Sequence, residues 1–172
     1  MVDLVPYDPG WPRRFEAERA FLEPILAPWL EGGIEHIGST AIPGIAAKPI
    51  VDMVAGVRDL EEARAAYGPL EAAGYIDEPH RPEIAHHFAK PMLELDARRF
   101  NLHLTEPSSS LWRERLAFRD ALRADRSLAA EYEALKLRLA HRHPGDVKTY
   151  TNGKRDFVHR VLVAAEVEFS WR

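Results

Sequence analysis

The feature that most restricts the fold is an apolar stretch at residues 49–57 with one charged residue, Asp52, inside it. A short apolar run of this kind is typical of a strand buried in a sheet. A carboxylate in such a strand is costly unless it is paired or binds a cation. Asp52 is therefore the best single candidate for a functional residue, and we expect the chain to build a sheet around it.

A turn that breaks the pattern precedes this strand. Residues 34–37 alternate and predict a short strand, and Gly38, Ser39 and Thr40 follow it. Glycine permits a close backbone approach, Ser39 adds a hydroxyl, and the N–H groups of the next helical turn point outward. Together these features predict an anion site. His36 belongs either to that site or to the structure of the strand end.

Elsewhere the pattern alternates helices and strands and then ends in helices alone. The predicted helices cover residues 12–30 (kinked or divided at Pro24 and Pro28), 59–73, 112–124, 125–141 and 147–167, with Asp59, Ser110 and Asp125 as caps. The other predicted strands cover residues 75–76, 84–90 and 99–104. This order predicts one α+β domain, in which a small mixed sheet within residues 1–106 carries a helical C-terminal region at 107–172.

Composition excludes several kinds of chemistry. The chain has 172 residues and no cysteine, which excludes disulfides, zinc–thiolate sites and a cysteine nucleophile. No apolar run approaches the length of a membrane helix, and the first residues lack the pattern of a signal peptide. We therefore expect a cytoplasmic protein with no membrane partner.

The net charge of −4 hides an uneven distribution. Residues 1–110 carry a net charge of −8, and residues 111–172 carry +4. The basic C-terminal residues are either a surface for an anion or ordinary solvated helix faces. No dense basic run occurs and the chain is acidic overall, so nucleic-acid binding is not expected.

Five side chains are candidates for contacts with a phosphate-bearing ligand. Lys48 precedes the Asp52 strand and can neutralise a phosphate as a point charge. Arg119 and Arg123 are four residues apart on one helical face. Tyr150 and Lys154 have the same spacing and suit a base and a phosphate. A half-buried tyrosine with a lysine stem along it is the alternative.

Histidines on the later strands suggest a second kind of site. His86 and His87 are adjacent, so only one of them can face a given side of the sheet. His103 shares a strand face with Asn101. Three histidines with Asp52 could form a transition-metal site, although the spacing is not compact.

The Gly38–Ser39 turn and the following Asp52 resemble the signature of the nucleotidyltransferase superfamily. More closely, nearly the whole chain resembles the GrpB family, an uncharacterised group assigned to that fold. The segments that carry the resemblance are residues 4–12, 35–44, 47–52 and 118–123, with weaker support at 102–104 and 150–154. The resemblance implies a nucleotidyltransferase-like fold. Some bacterial members of the family are fused to dephospho-CoA kinase.

In active nucleotidyltransferases, two or three carboxylates hold Mg²⁺ ions that bridge the triphosphate. Asp52 matches the first carboxylate, but the second position is Val54. Glu94 or Asp96 could supply a further acid. One carboxylate alone is a poor site for two magnesium ions, because Mg²⁺ prefers several oxygen ligands.

Two functions follow from this combination. The first is Mg²⁺-dependent transfer of a nucleotidyl group from an NTP to an unknown acceptor; the alternative is a binding module for a nucleotide or a CoA-like ligand. The predicted catalytic residues are Asp52, Ser39 and Lys48, and the predicted metal ligands are Asp52 and His103. The predicted ligand contacts are Gly38, Ser39, Thr40, Lys48, Arg119, Arg123, Tyr150 and Lys154. The oligomeric state stays open.

Overall fold

A five-stranded mixed sheet forms the centre of the computed structural model, which describes residues 3–91 and 99–167. The strands are β1 (Leu30–Ile37), β2 (Ile50–Val57), β3 (Ile76–Asp77), β4 (His86–Pro91) and β5 (Arg99–Thr105). Their order is β1-β2-β5-β4-β3, in which β2 and β5 are parallel and the other pairs antiparallel. The predicted small mixed sheet is confirmed.

Helices precede, interrupt and follow the sheet. They are α1 (Trp11–Leu26), α2 (Tyr67–Ala72), α3 (Ser110–Ala124), α4 (Arg126–Arg142), α5 (Val147–Asn152) and α6 (Arg155–Ala164). The predicted α+β class with a helical C-terminal region is therefore confirmed. No helix within residues 3–91 and 99–167 is long and apolar enough to cross a membrane.

Several predicted boundaries move, and prolines explain two of the differences. The first helix continues through Pro24 but ends at Leu26, before Pro28, and β1 starts earlier than predicted, at Leu30. The helix predicted at 59–73 is a 3₁₀ helix at Glu62–Ala66 followed by α2. Pro69 lies in the first turn of α2, where its missing N–H is tolerated, whereas inside one continuous helix it would remove a hydrogen bond.

Side chains cap the N-termini of α3, α4 and α5, and one predicted C-terminal helix is divided in two. Ser109, not Ser110, caps α3 by accepting from Trp112 N, whereas Asp125 caps α4 as predicted. The helix predicted at 147–167 divides at Gly153 into α5 and α6. A side chain at Gly153 would lie 2.5 Å from Leu139 of α4, so glycine there permits close packing at the cost of helix propensity.

The two faces of the sheet have different surroundings. The main apolar core joins one face to α1 and α2; its largest fully buried side chains include Trp11, Leu22, Met53, Leu70, Phe88 and Leu102. A second cluster consists of Ile42, Ile45, Leu122, Ala129, Tyr132, Phe157 and Val161. It joins the C-terminal helices to the loop between β1 and β2. The other face of the sheet thus lies under a helical layer that is anchored through this loop.

Candidate functional site

Asp52 and Asn101 lie side by side on the sheet face below the C-terminal helices. The two residues are register partners in the parallel pair of β2 and β5, so their side chains project to the same side. Asn101 Nδ2 donates a hydrogen bond to Asp52 Oδ1 at 2.7 Å. Both side chains are partly exposed. The acid that the sequence singled out is therefore held by an amide and keeps part of its surface accessible; its surroundings below the C-terminal helices are called the Asp52 cleft.

Gly38 closes one side of this cleft. Its φ of +71° lies in the left-handed region, which glycine adopts without strain. A Cβ at this position would lie 2.6 Å from Asp52 Oδ2. The structure thus brings the Gly38 turn and Asp52 into direct contact, and both the backbone angle and the space require glycine.

The two hydroxyls that follow Gly38 differ in their surroundings. Thr40 is buried, and its hydroxyl donates to the Ile50 carbonyl at 3.0 Å. Because this bond uses the only hydroxyl hydrogen, His36 Nε2 is the donor in its 3.0 Å contact with Thr40 Oγ1. Ser39 is partly exposed and lies within hydrogen-bonding reach of the Tyr132 phenol of α4. Thr40 therefore fixes the turn, whereas Ser39 borders the cleft.

His36 is structural in this arrangement. Its ring is buried and stacks on Phe15 with centroids 4.8 Å apart. Burial, assisted by the nearby charges of Arg123 and Arg119, lowers its pKa from 6.5 to about 4. The neutral imidazole therefore persists at pH 7 and holds Thr40 in place.

Two lysines converge on one tyrosine beside Asp52. The Lys48 and Lys154 ammonium groups lie 5.0 and 4.6 Å from the centroid of the Tyr150 ring. Such cation–π contacts favour placement of a cation over the ring. The ring is only 2% exposed, so in this structure it supports the two lysines and does not offer a face to a base.

The charges in this cleft act on one another. Desolvation, together with the charges of Lys48 and Arg115, lowers the pKa of Lys154 to about 8, although the charge of Asp52 opposes the shift. Burial raises the pKa of Asp52, while the bond from Asn101 and the charges of Arg115 and Lys154 oppose that rise. Burial also lowers the pKa of Lys48. Positive groups therefore repel one another around a single carboxylate.

Sequence reasoning overlooked Arg115. This residue lies on α3, is exposed, and acts electrostatically on Asp52, Lys154 and His103. It precedes Arg119 by four residues, so it belongs to the same helical stripe as the two arginines that were considered. Extending the stripe by one turn would have identified it.

Arg119 and Arg123 have partners away from Asp52. The Arg119 guanidinium donates to Glu35 Oε2 at 2.6 Å, to Asp120 Oδ1 at 2.7 Å and to the His36 carbonyl at 3.0 Å. Arg123 Nε donates to the Ala41 carbonyl at 2.8 Å. Both arginines line a separate cavity of about 360 Å³ at the β1 edge of the sheet. They thus tie α3 to β1 and to the loop that follows it.

A clamp from α4 was also missed. Glu133 accepts a hydrogen bond from the Ala46 amide, and the buried Lys136 ammonium donates to the Ala46 carbonyl. Desolvation, together with the charge of Lys154, lowers the pKa of Lys136 to about 8. Both backbone groups of Ala46 are therefore held two residues before Lys48. Nothing in the sequence indicates that these side chains reach a loop backbone.

The histidines do not form the metal site considered from the sequence. His87 and His103 stack with centroids 4.5 Å apart on the face that carries Asp52, whereas His86 is on the apolar face and donates from Nε2 to the Leu60 carbonyl. Burial lowers the pKa of His103 well below its ordinary value. Within the described ranges, no group of three or more His, Asp or Glu side chains could hold a metal ion.

The described residues also do not fit a magnesium site at Asp52. Val54, at the second carboxylate position, is fully buried between its register partners Glu35 and His103. The Glu35 carboxylate is already bound by Arg119. Three cationic side chains near one carboxylate oppose a further cation, and Mg²⁺ prefers several oxygen ligands. Glu94 and Asp96, the other acids considered from the sequence, lie outside the described residues.

A larger cavity lies elsewhere. It measures about 650 Å³, and its lining includes Asp59, Glu61, Glu83 and Glu106 with Arg64 as a basic residue. This acidic lining is unfavourable for a phosphate. The cleft at Asp52 therefore has the chemistry that the larger cavity lacks.

Comparison with known proteins gives consistent matches along the chain. The family model described as GrpB protein matches residues 1–163. The glutamate-rich protein GrpB of Alkalihalophilus pseudofirmus is 38% identical over 167 residues, which cover 94% of each chain. A crystal structure of the conserved protein GrpB from Enterococcus faecalis has a TM-score of 0.83 and 29% identity, covering 95% of this chain and 96% of that one.

One relative has a named activity. A dephospho-CoA kinase of Mycolicibacterium paratuberculosis is 31% identical over 179 residues, which cover 87% of this chain but only 42% of the kinase. The similarity therefore concerns a part of that protein.

Proposed function

The chain belongs to the GrpB family, and from that premise we propose that its cleft at Asp52 binds a phosphate-bearing small molecule, a nucleotide or a CoA-like compound, without a metal ion. The observation that carries the proposal is the convergence of Lys48 and Lys154 on the Tyr150 ring beside Asp52. Arg115 adds a third cation from α3. These three cations exceed the single carboxylate by two charges, which favours an anion with two negative charges, such as a phosphate monoester.

The mutual repulsion of the lysines supports the same proposal. The pKa of Lys154 is about 8 because the ammonium is partly desolvated and faces Lys48 and Arg115. A bound phosphate would relieve both effects, since an opposite charge within a few ångströms favours the charged form of an amine. Binding of an anion would therefore offset the repulsion between the lysines and the desolvation of the Lys154 ammonium.

The Gly38 turn and the α4 clamp give the cleft a fixed wall. Thr40 and His36 hold the turn from inside, and Glu133 with Lys136 holds Ala46 just before Lys48. A preformed site loses less conformational entropy on binding. Ser39 is the partly exposed hydroxyl of this wall, and under this proposal it would donate to a phosphate oxygen.

The kinase relative guides the choice of ligands. Dephospho-CoA kinase acts on dephospho-CoA, as its name states, and part of it resembles this chain. Dephospho-CoA, CoA, AMP and ATP are therefore the first compounds to test. In all of them, phosphate groups are joined to an adenosine unit.

Thermal unfolding with these compounds in EDTA tests the proposal. We expect at least one compound to raise Tm without metal, because binding to the native state alone stabilises it. Lys48→Met combined with Lys154→Met should abolish the shift, whereas Lys148→Met, at an exposed lysine, serves as the matched control. If no compound raises Tm in EDTA, or if Lys148→Met removes the shift equally, the proposed site is wrong.

Asp52→Asn separates the two ways in which the acid could act. If the Asp52 carboxylate only repels the phosphate, removing its charge strengthens binding of inorganic phosphate. The expected gain is about tenfold for one partly exposed charge. If Asp52 is a metal ligand, the same substitution removes binding and makes added Mg²⁺ ineffective. Titration calorimetry with and without Mg²⁺ distinguishes these results.

Nucleotidyl transfer is the second candidate, and one observation favours it. Gly38 contacts Asp52 as closely as a phosphate turn packed on an active-site acid would require. Release of pyrophosphate from an NTP, measured with Mg²⁺ and lost in Asp52→Asn, would establish this activity and displace the binding-only proposal.

A further inference from the structure

Two oxygen acceptors lie at the Asp52 end of the cleft. Asp52 Oδ1 accepts from Asn101, while Oδ2 faces the Gly38 backbone. Asn101 Oδ1 is shielded from solvent and has no hydrogen-bond partner. A buried carbonyl oxygen without a donor costs about 1–3 kcal/mol, and such groups are uncommon in folded proteins.

The neighbours of Asn101 on the sheet do not supply the missing donor. Its register partners are Asp52, which can only accept when ionised, and Ala89, which has no polar side-chain group. The torsion about the Asn101 Cβ–Cγ bond is broad, so rotation can turn the oxygen outward, and the same rotation withdraws Nδ2 and frees Asp52 Oδ1 to accept.

We infer that Asp52 and Asn101 accept hydrogen bonds from hydroxyl groups of the same ligand whose phosphate is held by Lys48, Lys154 and Arg115. The inference rests on the proposed function and specifies its ligand as a phosphorylated alcohol such as a nucleoside monophosphate. A second phosphate at this end is disfavoured, because it would face the Asp52 carboxylate. An amine donor would also pair with Asp52, but it would face the three cations.

Matched ligands test this inference on the unaltered protein. Calorimetric titration with AMP, 2′-deoxy-AMP and 3′-deoxy-AMP changes one ribose hydroxyl at a time and keeps the phosphate. We expect at least one deoxy compound to bind at least tenfold more weakly than AMP, because the missing hydroxyl leaves an acceptor in the site unpaired. Inorganic phosphate, as a probe of the cations alone, should bind more weakly than AMP.

Asn101→Leu tests the residue itself. This variant keeps the shape of the side chain and removes one acceptor, so it should reduce the affinity difference between AMP and the deoxy compound to about half or less, with Asp52 left as the remaining acceptor. Inorganic phosphate, titrated against the same variant, reports separately how loss of the Asn101 bond to Asp52 changes the cationic end. The thermal unfolding curve of the variant reports whether it folds, and the ligand comparison on the unaltered protein does not depend on that result.

The two proposals fail in different ways. If neither inorganic phosphate nor AMP binds, the proposed function fails and the inference falls with it. If AMP binds but both deoxy compounds bind as tightly as AMP, the role of Asp52 and Asn101 as acceptors is overturned, while the phosphate site stands. Equal discrimination by Asn101→Leu and the unaltered protein would also overturn the role of Asn101.

Discussion

The two faces of β2 and β5 carry opposite chemistry on the same strands. Met53 and Leu102 point into the core against α1 and α2, and both are fully buried. Asp52 and Asn101, one position earlier on each strand, point to the other face and stay partly exposed. Because side chains alternate along a strand, one pair of strands separates the residues that stabilise the fold from those that border the cleft.

The layers that cover the two faces are attached differently. Residues of α1 and α2 pack directly on the strands in the main core. The second apolar cluster instead joins α3, α4 and α6 to Ile42 and Ile45 of the loop after β1. The helical layer is therefore fixed through the same loop that carries Gly38 and Lys48. This attachment ties the shape of the cleft to the loop.

The largest expected effect is on the apolar face. Leu102→Ala should lower the free energy of unfolding by about 2–5 kcal/mol, the range for a large-to-small change in a core. Asn101→Ala, at the adjacent position on the other face, should cost less than Leu102→Ala, because losing the bond to Asp52 is partly offset by removing the unpaired Oδ1. Urea unfolding measures both values. Equal losses for the two variants would break the distinction between the faces.

A smaller effect concerns His36, which is a buried polar residue on the apolar side. Its pKa falls from 6.5 to about 4 on folding, chiefly through desolvation and also through Arg123 and Arg119. Below pH 6.5 the unfolded chain binds a proton that the folded chain does not, so stability is retained above pH 6.5 and lost as the pH falls toward 4. The full loss is about 3 kcal/mol.

His36→Gln isolates this contribution. Glutamine can still donate to Thr40 but does not titrate in this range. Urea unfolding at pH 7 and at pH 4.5 measures the free energy of unfolding of both proteins. The original protein should lose more of this free energy on acidification than the variant does. An unchanged difference between the two pH values would show that His36 does not carry the effect.

Local patterns in the sequence were sufficient for the fold. The apolar run around Asp52 predicts β2 to within one residue, and Asp125 caps α4 as predicted. The opposite orientations of His86 and His87 also follow from strand alternation. One boundary moved at Pro69, whose effect on a helix is local and was readable from the sequence. Another moved at Gly153, where packing against Leu139 of α4 decides and local pattern gives no sign of it.

The site was predictable only where its residues are close in sequence. Gly38 and Asp52 meet as expected, because Gly38 directly follows β1, and β1 pairs antiparallel with β2, which carries Asp52. The position of Arg119 depends on a partner, Glu35, that is 84 residues away. The role of Lys136 depends on the Ala46 carbonyl, 90 residues away. Helical spacing indicates which residues share a face, but it does not identify what that face meets.

The smallest expected effect concerns the pH dependence of the cleft, and it sharpens the contrast with His36. Lys154 has a pKa of about 8, so in the free protein it loses its charge as the pH rises through 8. AMP keeps a dianionic phosphate above pH 7.5. Its affinity should therefore fall by about fivefold between pH 7.5 and 9.5, while Lys154→Arg, which keeps its charge, should lose about twofold or less. Calorimetry at the two pH values measures both ratios. Equal losses in the two proteins would mean that Lys154 does not contact the phosphate. Low pH thus lowers the stability of the fold through His36 on the apolar face, whereas high pH lowers the affinity of the cleft through Lys154 on the other face.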